Sequence, residues 1–144
     1  MTTWQLEKTG SAGENVRTVQ YLLDARGAAL AIDGDFGPLT LSAVKQFQGS
    51  HGLAADGVVG DLTWPELIMQ VEAGSDGDAV KAVQSQINTG TAEVNIPLLT
   101  VDGIFGPNTE SAVRTFQTEN QLSVDGIVGP VTWQTMVFWE GVGH

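Results

Sequence analysis

The 144-residue chain contains no cysteine, which excludes disulfide staples, thiolate metal sites and a cysteine nucleophile together. The absence leaves the compartment open. Basic residues are scarce: 6 Lys+Arg stand against 17 Asp+Glu, a formal net charge of -11. Phosphate binding needs a basic patch to displace counterions, so nucleic acid is not an expected partner. Only two histidines are present, His51 and His144, and no H-E-x-x-H pattern accompanies them. Zinc hydrolysis usually draws on three protein ligands, which this inventory does not supply. A Ser-His-Asp arrangement has only His51 to recruit, and His51 reads as a helix C-terminal residue beside Gly52, facing the helix dipole. Carboxylates are numerous, but the sequence singles none out by an apolar setting that would raise its pKa. The expectation is a non-enzyme with no cofactor and no metal. No apolar run approaches the roughly 20 residues of a membrane-spanning helix. Met1 to Glu7 hold neither a basic nor an apolar signal region, so no secretory signal is expected in this chain.

What the chain has is glycine, 18 residues of it, and the glycines repeat. The pattern D-G-x-[FV]-G-x-x-T occurs four times. Its fixed residues are Asp33, Gly34, Gly37 and Thr40; Asp56, Gly57, Gly60 and Thr63; Asp102, Gly103, Gly106 and Thr109; and Asp125, Gly126, Gly129 and Thr132. Asp-Gly predicts a turn, because Gly accepts positive φ and Asp bonds the backbone beyond it. The second Gly suits an N-cap, with Pro38, Pro107 and Pro130 at the first helical position. Each motif therefore reads as a rigid turn that launches a helix.

The first two motifs and the last two belong to a longer duplication. Upstream, Gly10, Gly13, Val16, Val19 and Gln20 match Gly74, Gly77, Val80, Val83 and Gln84 at an offset of 64. Downstream the offset is 69, which places a five-residue insertion within Asn88 to Leu99 of the second copy. The insertion, around Glu93 to Pro97, is expected to reshape a groove mouth there. Apolar spacing predicts helices over about 14–26 and 38–50, and a third starting near Asp61 that buries Trp64, Leu67 and Ile68. The second copy carries the corresponding stripes Val80, Val83, Ile87; Val113, Phe116; and Trp133, Met136, Val137. Short extended bridges between paired Asp-Gly loops are compatible with the pattern. The fold class expected is all-α, two tandem three-helix bundles, with repeat 1 over 1–71 and repeat 2 over 72–144.

Asp33-Gly34-Asp35 invites a calcium reading, which the rest of the loop refutes. An EF-hand needs oxygen ligands at positions 5 and 12 and Gly at 6, where this chain has Gly37, Val44 and Pro38.

The succession G-x-x-G-x-x-V-x-x-V-Q, D-G-x-F-G-x-x-T-x-x-A-V-x-x-F-Q and D-G-x-V-G-x-x-T-W resembles the type 1 peptidoglycan-binding domain family. It does so twice, over Gly10 to Leu67 and Gly74 to Met136. The resemblance implies a non-catalytic module that tethers itself, or an attached lytic enzyme, to bacterial wall glycan or its stem peptides. It implies a cell-wall-associated or extracellular setting, and a fused or associated cell-wall hydrolase or a phage or injection-machine component as companion. Without a signal, a cytoplasmic or phage-derived origin stays open. The alternative is an assembly adapter that reuses the fold for protein interaction. The metalloprotease propeptides built on a related unit need a cysteine switch, which this chain lacks.

Ligand contacts are expected among the scarce cations. Arg17 and Lys81 are repeat equivalents, as are Lys45 and Arg114, each just after a core Val. Stem peptides end in carboxylates, which Arg and Lys bind by charge-assisted hydrogen bonds. Solvated pairing with a nearby acid is the competing expectation, and such pairs contribute little. Tyr21, with Ser85 in its place in the second copy, joins the candidate list as a sugar-stacking ring if exposed beside Arg17. Trp64 and Trp133 are expected in the core, and Trp4 and Trp139 lie near the chain ends.

Overall fold

The computed structural model describes residues 4–90 and 96–141, with side chains up to Val137 in the last helix. Glu93, Trp139 as a side chain, and His144 lie outside the described residues. The described residues form helices α1 (Glu14–Asp24), α2 (Pro38–Ser50), α3 (Trp64–Leu67), α4 (Asp78–Gly90), α5 (Pro107–Glu119) and α6 (Pro130–Gly141) and no strand, so the fold is all-α.

The four Asp-Gly turns form as the sequence predicts. Gly34 sits at φ 77, and Gly57, Gly103 and Gly126 at 76, 77 and 73, a region that side-chain-bearing residues rarely adopt. In each turn an aspartate Oδ1 accepts the N–H two residues on: Asp35 onto Asp33 at 2.9 Å, Val58 onto Asp56 at 3.0 Å, Ile104 onto Asp102 and Ile127 onto Asp125 at 2.9 Å. Gly37 and Gly106 are the N-caps of α2 and α5, and Pro38 and Pro107 open those helices, where an N–H would have no partner anyway.

Two helix boundaries differ from the periodicity. α1 stops at Asp24 rather than Arg26, because Gly27 turns left-handed at φ 94 and the Ala28 N–H closes on the Leu23 carbonyl. α3 is a single turn rather than a helix from Asp61. The N–H groups of Thr63 and Trp64 both fold onto the Gly60 carbonyl, and Ile68 leaves in extended conformation at ψ 153. That exit becomes the strap that leads into the second copy.

The bridges also differ. They do not join one Asp-Gly loop to the other; they join each loop to the segment that precedes its copy. Glu7 pairs with Val59 and Ala12 with Asp35, and the second copy repeats this as Val71 with Val128 and Asp76 with Ile104. The straps are fixed by tryptophan as well. Trp64 Nε1 donates to the Gln5 carbonyl at 2.7 Å, and Trp133 Nε1 donates to the Met69 carbonyl at 2.8 Å. Both tryptophans are fully buried, as expected, and Trp4 stacks on Trp64 with centroids 5.6 Å apart.

The two copies dock through α1 and α4, which make the most extensive helix–helix contact in the molecule. Buried apolar residues of both copies, Trp64 and Leu67 with Trp133, Met136 and Val137, belong to one continuous core. At this seam the duplication is broken. Positions 15 and 18 are Asn and Thr in α1, whereas their counterparts in α4 are Ala79 and Ala82. In return Gln86 of α4 stands where α1 has Leu22. Gln86 Nε2 reaches Asn15 Oδ1 at 2.9 Å and Thr18 Oγ1 at 2.8 Å, and Asn15 Nδ2 donates to the Val137 carbonyl at 2.9 Å. All three side chains are buried, so a satisfied polar knot fixes how the copies sit.

Candidate functional site

Each Asp-Gly turn is gripped by a buried glutamine from the preceding helix. Gln20 Nε2 faces Asp33 Oδ1, the Asp35 carbonyl and Thr40 Oγ1, and Gln20 Oε1 accepts the N–H groups of Asp33 and Gly34. Gln48 grips Asp56, Val58, Thr63 and Gly57 in the same way. Gln84 does so for Asp102, Gly103, Ile104 and Thr109, and Gln117 for Asp125, Gly126, Ile127 and Thr132. The recurring Thr of each motif therefore serves the glutamine, which explains why the four residues recur together. The aspartates stay solvent-facing, and the backbone N–H and then the glutamine amide hold each carboxyl below its usual range.

The matched cations stand one helical turn before these glutamines: Arg17, Lys45, Lys81 and Arg114. Their side chains lie over the turn glycines. A Cβ on Gly34 would lie 3.2 Å from the Arg17 guanidinium carbon. On Gly57 it would lie 3.3 Å from Lys45 Cε, on Gly103 3.3 Å from Lys81 Cε, and on Gly126 3.1 Å from Arg114 Nε. Three heads pair with acids on their own helix: Arg17 with Glu14 at 3.7 Å, Lys81 with Asp78 at 3.9 Å and Arg114 with Glu110 at 3.1 Å. Among the described residues Lys45 makes no such pair. Tyr21 is half-buried and packs against the core, and burial, then the Glu14 and Asp78 carboxylates, push its hydroxyl pKa up.

Concave surface lies elsewhere. One groove of about 510 Å³ runs between the turn after α1 and the outer face of α2, lined by Leu30, Leu39, Ser42, Ala43 and Gln46. A second, of about 410 Å³, occupies the equivalent place in the other copy, lined by Leu99, Asn108, Ser111, Ala112 and Thr115. Five lining positions thus correspond pair by pair across the duplication. The second groove is also walled by Ile96, Pro97 and Leu98, beside the insertion, whose residues 91–95 lie outside the described residues.

The grooves differ in charge. The first is closed at one end by Arg26 and His51, both gathered on Phe47: the Arg26 guanidinium lies 5.0 Å from the ring centroid, and His51 stacks on the ring with centroids 4.1 Å apart. The corresponding positions of the second copy are Gly90 and Asn120. None of Arg17, Tyr21, Lys45, Lys81 or Arg114 lines either groove; Arg114 borders a separate shallow depression with Glu110 and Thr118. The sequence pointed to cations in matched places, whereas the cation that reaches a groove is unmatched.

The chain is similar to parts of several known proteins. The zinc D-Ala-D-Ala carboxypeptidase of Streptomyces albus G is 49% identical over 61 residues, covering 40% of this chain and 24% of that protein. The N-acetylmuramoyl-L-alanine amidase CwlL of Bacillus licheniformis is 29% identical over 163 residues, covering 90% of this chain and 44% of that protein. The solved SleB N-terminal domain is 32% identical, with a TM-score of 0.45, and covers 50% of this chain and 93% of that one. The chain thus spans less than half the length of these two curated relatives. The family model of the peptidoglycan binding domain matches residues 12–67 and again 76–136, and on that double match the chain belongs to the peptidoglycan-binding domain family.

Proposed function

We propose that this chain is a bivalent peptidoglycan-binding module, organised as units 1–71 and 72–144, that holds itself or a companion wall hydrolase on the bacterial cell wall. The observation that carries the reading is the pair of equivalent grooves, one on each copy of a domain whose family is that of wall-binding modules. Two weak sites on one repeating polymer gain avidity when both engage, and their rigid docking through α1 and α4 fixes the distance between them. The companion is supported by the relatives, a carboxypeptidase and an amidase in which the matching segment is a minor part. The acidic balance is no obstacle, since the Debye length of roughly 8 Å at physiological salt screens repulsion from anionic wall polymers.

The test is co-sedimentation of the full chain with purified sacculi over a range of salt. Pelleting that is lost after muramidase digestion supports the reading. No pelleting at any salt concentration rejects it and favours the assembly-adapter alternative.

A further inference from the structure

We propose that the two grooves read different chemistry: the groove of the first copy takes a peptide end through its free C-terminal carboxylate, and that of the second takes an uncharged stretch of ligand. The inference rests on the wall-binding reading and deepens it. In a chain with a net charge of -11, Arg26 is placed by three independent contacts at the end of a groove. Its Nη2 donates to the Glu66 carbonyl at 3.1 Å and the Leu67 carbonyl at 3.0 Å, and its guanidinium faces the Phe47 ring. Those bonds fix the plane of the fork and occupy one nitrogen. Among the described residues Nε and Nη1 donate to nothing, so each keeps an N–H for a single charge-assisted hydrogen bond to a carboxylate oxygen.

His51 stands on the same ring, with Nδ1 3.4 Å from Glu66 Oε1. Arg26, always protonated, carries the fixed positive charge of the groove. Gln46, Ser42 and Ser50 line the wall with amide and hydroxyl groups suited to a peptide backbone, and Leu30 and Leu39 offer apolar surface for small side chains. Ala29, a non-glycine residue at φ 56, forms part of the rim. Such backbone persists only where surrounding structure enforces it, and it clusters at ligand sites. Of those matched positions the second groove keeps Ser111 and Leu99, has Asn108 in place of Leu39, lacks both the Arg and the His, and is lined by Asp102, so a carboxylate entering it meets no cation.

The experiment uses the full chain labelled with ¹⁵N and titrated with diacetyl-L-lysyl-D-alanyl-D-alanine as the free acid and as its C-terminal amide. The acid is expected to shift the amide signals of Gly27 to Leu30, Ser42, Gln46 and Ser50, and the C-terminal amide to bind at least tenfold more weakly. Arg26→Gln should weaken the acid about tenfold and leave the amide unchanged, with Arg26→Lys restoring part of the loss. Because Arg26 also bonds the end of α3, His51→Asn serves as a second variant that spares those bonds and should lower acid affinity about threefold. Equal binding of acid and amide, shifts confined to the amides of 98–100 and Thr115, or no binding of the acid overturns the proposal. If sacculi still sediment the chain in that event, only the assignment of groove chemistry fails; if they do not, the wall-binding reading fails with it.

Discussion

Gln20 and Asp33 hold each other in both directions: Gln20 Nε2 donates to Asp33 Oδ1 at 2.9 Å, and the Asp33 N–H donates to Gln20 Oε1 at 3.1 Å. The pair is 13 residues apart, and its three counterparts are 8, 18 and 8 apart. The same grip tolerates different loop lengths because it depends on where the helix presents the amide, not on the length of chain between.

Removing a grip should cost more than any single surface change. Gln20→Ala leaves the Asp33 and Gly34 N–H groups without an acceptor and should destabilise the chain by about 3 kcal/mol. Gln46→Ala, on the exposed wall of the first groove, should change stability by less than about 0.5 kcal/mol. Urea unfolding of both variants checks the contrast; equal effects would show that the buried amide is dispensable.

Acid should unfold the chain through the turn aspartates. Asp33, Asp56, Asp102 and Asp125 have native pKa values below the ordinary 3.8, so their stabilisation is complete above that pH and is lost as pH falls through the lowered native values. Asp102→Asn keeps an oxygen acceptor but removes one titration, and its stability should fall less steeply on acidification. Asp78 has the opposite sign. Burial first, and Asp24 second, raise its native pKa, so its charged form destabilises the fold at neutral pH and protonation relieves this as pH falls. Asp78→Asn should therefore show its largest relative gain near neutrality. Unfolding curves measured from neutral to acid pH test both signs.

The seam between copies should behave as a coupled unit. Asn15→Ala and Gln86→Ala each strand a buried partner, so the double variant should lose less than the sum of the singles, by about 1–2 kcal/mol. A coupling near zero in this double-mutant cycle would mean the knot is incidental.

The same substitution should have opposite effects at two glycines. Gly34→Ala forces a side chain into positive φ beside the Arg17 guanidinium and should cost about 1–2 kcal/mol. Gly49→Ala lies in α2 with open space around it and should stabilise the chain by roughly 0.5 kcal/mol. Thermal melts of the two variants are sufficient.

The matched cations should be silent in binding. Arg17→Gln with Lys81→Gln should leave sedimentation with sacculi within about twofold of the parent, because neither residue lines a groove and each is paired with an acid on its own helix. A tenfold loss would return ligand contact to these residues.

Local chemistry alone determined the four turns, the helices they launch and the duplication, since a φ preference, a missing proline N–H and an apolar stripe all act within a few residues. The partnership of Gln20 with Asp33 had a signal, a glutamine recurring before every Asp-Gly, but its role was hidden because contact across 8 to 18 residues depends on how a helix is aimed. Tertiary structure decided the rest. Only packing shows that α1 meets α4, that Gln86 answers Asn15, and that the side chains of the matched cations lie over glycines. It also brings Arg26 and His51, 25 residues apart and unmatched in the repeat, onto one phenylalanine at the end of a groove. Repeat symmetry finds what both copies share, whereas a site on one copy arises where side chains converge in space without any periodic trace.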